Sequence, residues 1–186
     1  GILDLISPLF YIDALDHPEL LPILNDSVSL AARLGPPVIP ALIESLHAGD
    51  FKAEWAVAHV LGRIGADAIQ PMMMAYASAT DPTLRAFILY AMGKIKSPKI
   101  AQAAAMALEA AQSPNLELRD TATRVLGKLA EAIPPESLTG ELKALFLERL
   151  YGNLADRNTG VRAKAIRSLG KLALHRHLAV PDRAKL

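Results

Sequence analysis

The sequence predicts an all-α fold, a solenoid in which antiparallel helix pairs stack on one another. A glycine-centred motif recurs four times, and in each copy Arg or Lys and then Ile or Leu follow the glycine. Apolar residues precede each glycine at intervals of four, which places them on one helix face. The composition is 52% hydrophobic but only 5% aromatic, which suits closely packed helices. The four glycines are Gly62, Gly93, Gly127 and Gly170.

Two polar positions of the motif recur with the glycine. Twelve residues before it stands a residue type that caps helix N-termini, namely Asp50, Asp81, Asn115 or Asn158. Eight residues before it stand Glu54, Arg85, Arg119 or Arg162. A shorter copy, AARLG, puts Ala32 at the glycine position. We therefore expect four clear repeats and a degenerate one at the N-terminus.

The second helix of each repeat has a predicted core face. One helix pair alone cannot bury such a face, whereas stacked pairs can. The face comprises Ala53, Val57 and Leu61; Leu84, Ile88 and Met92; Leu118, Ala122 and Leu126; and Val161, Ala165 and Leu169. A glycine within a helix costs about 1 kcal/mol against Ala. Its recurrence predicts that a Cβ at that position would clash with a neighbouring helix.

The first 35 residues are predicted to form an irregular helical cap. Apolar residues from Leu3 to Leu15 fit one helix, with Pro8 in its first turns or at a kink. The HPE sequence after Asp16 is a helix start signal. From there we expect either a compressed helical pair broken near residues 25–26 or one continuous helix.

The remainder divides into four repeats and a tail within a single domain, 1–186. The repeats span 36–65, 66–96, 97–131 and 134–173, and 175–186 is a tail without periodicity, predicted to be frayed or truncated. First helices are predicted in PPVIPALIESLH, AIQPMMMAYA, Pro98 to Ala111 and ELKALFLERLYGNL. Second helices are predicted at Phe51 to Ile64, about Thr83 to Ile95, Leu116 to Ala130 and Val161 to Leu172.

Several functional classes lose support from the composition. The formal charge is +1, so nucleic-acid binding would need local clustering of cations. The absence of cysteine removes disulfides and thiol chemistry. The sequence has neither a membrane-spanning apolar run nor a signal peptide, so we expect a soluble, cytoplasmic protein. Position 1 is Gly, as in an excised fragment or a tag remnant.

Catalytic and metal motifs are also missing from the sequence. It contains no GxxxxGK, GxGxxG, HExxH or GxSxG, so we expect no enzyme and no cofactor. Met72, Met73 and Met74 are interpreted as core, and Glu54 as a solvated salt-bridging residue. The pair His175 and His177 lacks the cysteines or acidic cluster that would indicate a metal site.

The repeated motif, D-x-x-[LV]-R-x-x-A-x-x-x-L-G-[KR]-[IL], resembles the HEAT repeat, particularly the phycobilisome-lyase HEAT-like variety. The resemblance covers about residues 30 to 174. It implies an α-α superhelix with the second helices on the concave side. It also implies an Asp–Arg hydrogen-bond ladder between repeats, in which Asp156 occupies the acidic position. Ala79, Ser113 and Glu54 depart from that pattern, so we expect an incomplete ladder.

The second-helix stripe is the most informative functional feature. It comprises the positions seven and three before each glycine and one after it, opposite the core face. They are Trp55, His59 and Arg63; Ala86, Tyr90 and Lys94; Asp120, Arg124 and Lys128; and Ala163, Arg167 and Lys171. We interpret its nine aromatic, imidazole and basic residues as a ligand-facing groove, with Trp55, His59 and Tyr90 as anchors and the cations recognising acidic groups.

Structural interpretations of the stripe stay open. Basic residues in the last helical turn interact favourably with the helix dipole, and Trp55 and Tyr90 would also fit against the N-terminal helices. Three functions follow, in order of preference. The first is a non-enzymatic scaffold for a protein partner. The second, implied by the resemblance, is a bilin lyase-type subunit or chaperone, and the third is nucleic-acid binding along the basic part.

Overall fold

The computed structural model of the protein describes residues 1–46, 51–138 and 140–178. Throughout these ranges the chain consists of α-helices, short 3-10 helices and turns, with no β-strand, and the predicted all-α class is confirmed. The chain forms two compact units, Gly1–Ile95 and Lys96–Leu186. No helix within the described ranges is long and apolar enough to cross a membrane.

The first unit begins with two helices and continues with two helix pairs. Its described helices are α1 (Ile2–Ile6), α2 (Leu21–Arg33), α3 (Ile39–Leu46), α4 (Phe51–Ile64), α5 (Ile69–Ser78) and α6 (Pro82–Met92). Single 3-10 turns at Pro36–Val38 and Gly65–Ala68 lead into the first helices of the pairs. Helix α4 begins and ends at the predicted residues. Pro40 and Pro71 lie in the first turns of α3 and α5, where the missing N–H costs little.

The second unit contains the other two helix pairs. A 3-10 segment, Pro98–Ala103, leads into α7 (Ala104–Ala110), and α8 (Leu116–Ala132), α9 (Gly140–Asn153) and α10 (Thr159–Leu174) follow. Asn153 connects the two pairs, because its buried Nδ2 donates hydrogen bonds to the Ala111 carbonyl at 3.0 Å and to Thr123 Oγ1 at 2.8 Å. The fourth repeat is thus attached through polar contacts as well as through its core.

The N-terminal cap differs from the prediction in one respect. Helix α1 ends at Ile6, and Pro8 lies in a separate 3-10 helix, Ser7–Tyr11, so a single helix through this segment was wrong. The ring and the missing N–H of proline suit the start of a helix and not its interior. Helix α2 is continuous through residues 25–26, which confirms the second of the two alternatives. Ser29 donates its hydroxyl to the carbonyl of Asn25, one turn earlier in the same helix.

Polar caps start the second helices as the sequence indicates. The side chain of Asp81 accepts a hydrogen bond from the N–H of Thr83, and Asn115 accepts one from the N–H of Leu118, both at 3.0 Å. Asn158 accepts from the N–H of Gly160 at 2.8 Å. Asp50, the corresponding prediction in the first repeat, lies outside the described residues. Each observed cap satisfies a backbone donor that the helix leaves unpaired.

The predicted core face is confirmed at all twelve positions. None of these side chains is more than 8% exposed, the maximum belonging to Leu84, and Leu61, Ile88, Met92 and Leu126 are fully buried. Burying an apolar side chain of this size stabilises the fold by about 1.5–3 kcal/mol. The face therefore supplies much of the energy that holds the helix pairs together within each unit.

The predicted close approach at the glycines holds at two positions and fails at one. A Cβ on Gly62 would lie 2.4 Å from the Cβ of Lys94, and one on Gly127 would lie 2.8 Å from the Cα of Ser168. Both distances are too short for carbon atoms. A Cβ on Gly170 would meet nothing within 4 Å, so the prediction was wrong there. The reason is that no helix of the described chain packs on that side of α10.

The motif arginine links three of the second helices, α6, α8 and α10, to the turn that precedes each of them. Arg85 donates to the Ala79 carbonyl at 2.8 Å, Arg119 to the Ser113 carbonyl at 2.7 Å, and Arg162 to the Asp156 carbonyl at 2.8 Å. In each case the acceptor lies six residues before the arginine. These bonds involve backbone oxygens, which explains why Ala and Ser are accepted at the position.

The Asp–Arg contact between repeats forms at Arg119 and Asp156. Arg119 Nε lies 2.7 Å from Asp156 Oδ2, and the two side chains are only 19% and 10% exposed. The hydrogen bond from Arg119 lowers the pKa of Asp156 and outweighs the cost of desolvation, and the N–H of Asn158 acts in the same direction. The contact therefore joins the start of α8 to the turn before α10.

The fourth repeat extends past its predicted end. His177, assigned from the sequence to the tail, is 3% exposed, and its Nε2 lies 2.7 Å from the Ala130 carbonyl in the last turn of α8. The last four carbonyls of an α-helix have no N–H partner within the helix, so His177 supplies one from outside. Arg176 adopts a φ of 63°, which turns the chain back toward α8. Residues 179–186 of the predicted tail lie outside the described residues.

Candidate functional site

In the first unit the stripe contains a stacked Trp55 and His59. They are four residues apart on α4, both are half-buried, and their ring centroids are 4.1 Å apart with an interplanar angle of 32°. Residues four apart are neighbours on a helix surface, and this spacing brings the two rings into contact. Together they form an aromatic surface that is only partly accessible.

His59 is held in its neutral form. Burial, together with the positive charges of Lys94 and Arg63, lowers its pKa from 6.5 to about 4. Its Nε2 is buried and has no hydrogen-bond partner among the described residues. A neutral imidazole stacked on an indole acts as an aromatic contact surface rather than as a cation.

Two cations border this aromatic pair. Lys94, in the turn after α6, lies over the ring of Tyr90, with its Nζ 4.6 Å from the ring centroid, as a cation–π contact. Arg63 donates to the hydroxyl of Ser29 and, at 3.5 Å, to the carbonyl of Asn25, both on α2. The guanidinium of Arg63 thus joins α4 to α2.

In the second unit a glutamate connects two stripe lysines. Glu131 Oε2 lies 3.0 Å from the Nζ of Lys128, and Glu131 Oε1 lies 2.7 Å from the Nζ of Lys171. Desolvation opposes the ionisation of Glu131, but hydrogen bonds from Lys171 and Lys128 outweigh it and lower its pKa. Glu131 was not among the predicted site residues, although its spacing of three from Lys128 within one helix indicated the first contact.

The two lysines respond differently to the shared carboxylate. The hydrogen bond to Glu131 raises the pKa of Lys128. Desolvation lowers the pKa of Lys171, in spite of its own bond to Glu131. One carboxylate between two ammonium groups leaves the cluster with net positive charge.

The other stripe positions of the second unit differ in accessibility. Arg167 is exposed, whereas Arg124 is half-buried. Asp120 is paired with Lys164 of α10, which removes one carboxylate from the reach of the stripe cations. Ala163 is half-buried and, in the first unit, Ala86 is 3% exposed. Arg167 is thus the stripe cation that solvent reaches most readily.

The weaker candidates fall outside the stripe. Met72 is fully buried, as predicted, but Met74 is 72% exposed. Residues two apart in a helix lie on different faces, and Met74 lies on the outer side of α5. Glu54 is 3% exposed and lines a cavity of about 270 Å³, so its interpretation as a solvated residue was wrong. It occupies the motif position of Arg85 and Arg119, whose side chains reach back to the turn before the helix.

Stacked helix pairs with a repeated glycine motif define a helical repeat protein. A family model described as HEAT repeats matches residues 39–110. A comparison with curated proteins finds no match. Among solved structures, the crystal structure of an engineered protein is similar, with a TM-score of 0.53 and 18% sequence identity over 90% of this chain and 70% of that chain. The family match supports the HEAT-repeat resemblance over its range, and the structural likeness supports the fold.

Proposed function

We propose that this chain is a non-enzymatic scaffold that binds a protein partner through the second-helix stripe. The proposal rests on the exposure of Arg167. This residue is exposed and, within the described part of the chain, no carboxylate pairs with it. It lies four residues from Lys171, which is itself part of the positively charged Glu131 cluster. An exposed cation beside such a cluster suits acidic side chains of a partner.

The first unit offers a different kind of contact. Trp55 and Tyr90 are half-buried aromatic side chains with Lys94 beside them. Aromatic residues of this kind commonly dominate the binding energy of protein interfaces, because they bury a large area at small entropic cost. The HEAT resemblance implies that the stripe belongs to the concave side of a superhelix.

A protein partner is preferred over a polyanion. Two of the basic residues, Lys128 and Lys171, share Glu131, and Lys164 is paired with Asp120. Pairing of this kind reduces the positive potential that nucleic-acid binding requires. Bilin attachment, the second prediction, is supported by the phycobilisome-lyase resemblance of the sequence alone.

An affinity capture with the intact chain tests the proposal. The partner captured by the wild-type chain is identified, and the capture is repeated with Arg167→Glu and with Trp55→Ala. The matched control is Arg157→Glu, which reverses the charge of another exposed arginine of the second unit outside the stripe. We expect Arg167→Glu to weaken binding at least about tenfold, equal to about 1.4 kcal/mol, and Arg157→Glu to leave it unchanged. Equal binding by all variants would overturn the proposal.

A further inference from the structure

Helix α10 has an exposed apolar face next to the stripe. Ile166 is 62% exposed and Leu174 is 76% exposed, and Gly170 lies between them at intervals of four residues. The three positions share one side of the helix. A Cβ on Gly170 would meet nothing within 4 Å among the described residues, which leave room there for another backbone. We call these three residues the α10 outer face.

The same positions in α8 form an established interface. Thr123, four before Gly127, is fully buried, and its carbonyl accepts a hydrogen bond from the hydroxyl of Ser168 at 2.9 Å. Glu131, four after Gly127, bonds to Lys171 of α10. In the first unit the position four before the glycine is also buried, since Ala58 is 1% exposed. The α10 outer face thus continues a helix–helix interface and has the geometry to receive one more helix.

Charge indicates what kind of helix it receives. Between residues 159 and 178 the chain has five cations and no acidic residue. Three of the five are engaged within the chain: Lys164 with Asp120, Lys171 with Glu131, and Arg162 with backbone carbonyls. Arg167, on the flank of the outer face, is exposed and has no acidic partner in the described ranges. A second copy of α10 would bring like charges together, whereas an acidic helix would pair with them.

We infer that the α10 outer face binds an acidic amphipathic helix of a partner protein. The apolar side of that helix packs against Ile166 and Leu174, its backbone approaches at Gly170, and carboxylates on its flank pair with Arg167. This site shares Arg167 with the second-helix stripe, but Ile166, Gly170 and Leu174 are not stripe positions. Variants of these three residues therefore test it separately from the proposed function.

A peptide titration with the 186-residue chain tests the inference. The probe is a fluorescein-labelled amphipathic peptide of about 20 residues with Leu on one face, Glu on the flanks and Ala elsewhere. A twin peptide carries Lys in place of Glu. Fluorescence anisotropy is measured for the wild-type chain, for Ile166→Glu, for Gly170→Leu and for Leu5→Glu. Leu5 is the control, since it is 80% exposed on α1 in the other unit.

We expect saturable binding of the acidic peptide, with affinity lowered at least about tenfold by Ile166→Glu and by Gly170→Leu. Leu5→Glu should bind like the wild type. The denaturation midpoint of Gly170→Leu should not fall, because no described residue lies within 4 Å of a Cβ at that position, so lost binding would not reflect unfolding. The inference is overturned if the wild type does not bind, if the Lys twin binds equally, or if the two face variants bind undiminished. A dimer in sedimentation that Ile166→Glu dissociates would also overturn it, by showing a second copy on the face.

Discussion

Helices α8 and α10 carry the same glycine-centred pattern in different surroundings. In α8, Thr123 and Gly127 are buried against α10, and Ser168 approaches the glycine closely. In α10, the equivalent Ile166 and Gly170 are exposed. The glycine-centred motif therefore specifies a surface on which another helix can pack. Whether that surface becomes core or a site for a partner depends on the presence of a neighbouring helix.

Exchanging the residue four before the glycine should produce the largest effect. Thr123→Ile removes the hydroxyl that accepts a hydrogen bond from Asn153, and it makes the side chain one carbon longer at a fully buried position. We expect a loss of about 2–4 kcal/mol in the free energy of unfolding. Chemical denaturation of the intact chain measures it.

The reciprocal change, Ile166→Thr, is the control. At 62% exposure it should alter the free energy of unfolding by no more than about 0.5 kcal/mol. A comparable loss in both variants would mean that the two helices do not differ in the way described.

The stripe differs between the two units, since α4 presents a neutral aromatic pair where α8 and α10 present cations. The folded-state pKa of His59, about 4, lies below its ordinary value of 6.5. As the pH falls, the unfolded chain therefore takes up a proton first, and stability decreases between about pH 6.5 and pH 4. We expect this group to account for about 2 kcal/mol of the decrease, after allowance for solvent screening.

His59→Phe supplies the comparison for that measurement. It retains a ring against Trp55 and removes the titrating group, so its stability should vary less with pH over the same window. Denaturation midpoints of both chains are measured at several pH values from neutral to acidic. Parallel curves for the variant and the wild type would contradict a buried, neutral His59.

Much of the fold could be predicted, because stacking is encoded locally and repeatedly. The spacing of apolar residues identified the bounds of α4 and all twelve core positions, and the glycines at 62 and 127 indicated close helix contacts. Each of these depends on residues within one repeat and its neighbour. The HEAT motif also indicated the contact between Arg119 and Asp156.

Features that depend on tertiary context could not be read from the pattern. The shared role of Glu131 needs α10 placed against α8, and the burial of His177 needs the chain to turn back after α10. Glu54 looked solvated because a charged residue usually is. The exposure of Gly170 among the described residues was missed because the motif is the same whether or not another helix packs beside it.

The most direct test of the central claim compares Gly127→Ala with Gly170→Ala in chemical denaturation. Overpacking against Ser168 costs about 1–3 kcal/mol, against a gain in helix propensity of up to about 1 kcal/mol, so Gly127→Ala should destabilise the protein. Gly170→Ala meets open space and should stabilise it by about 0.5–1 kcal/mol. Opposite signs are the predicted result. Changes of the same sign would contradict the claim that one motif forms core in α8 and an open docking face in α10.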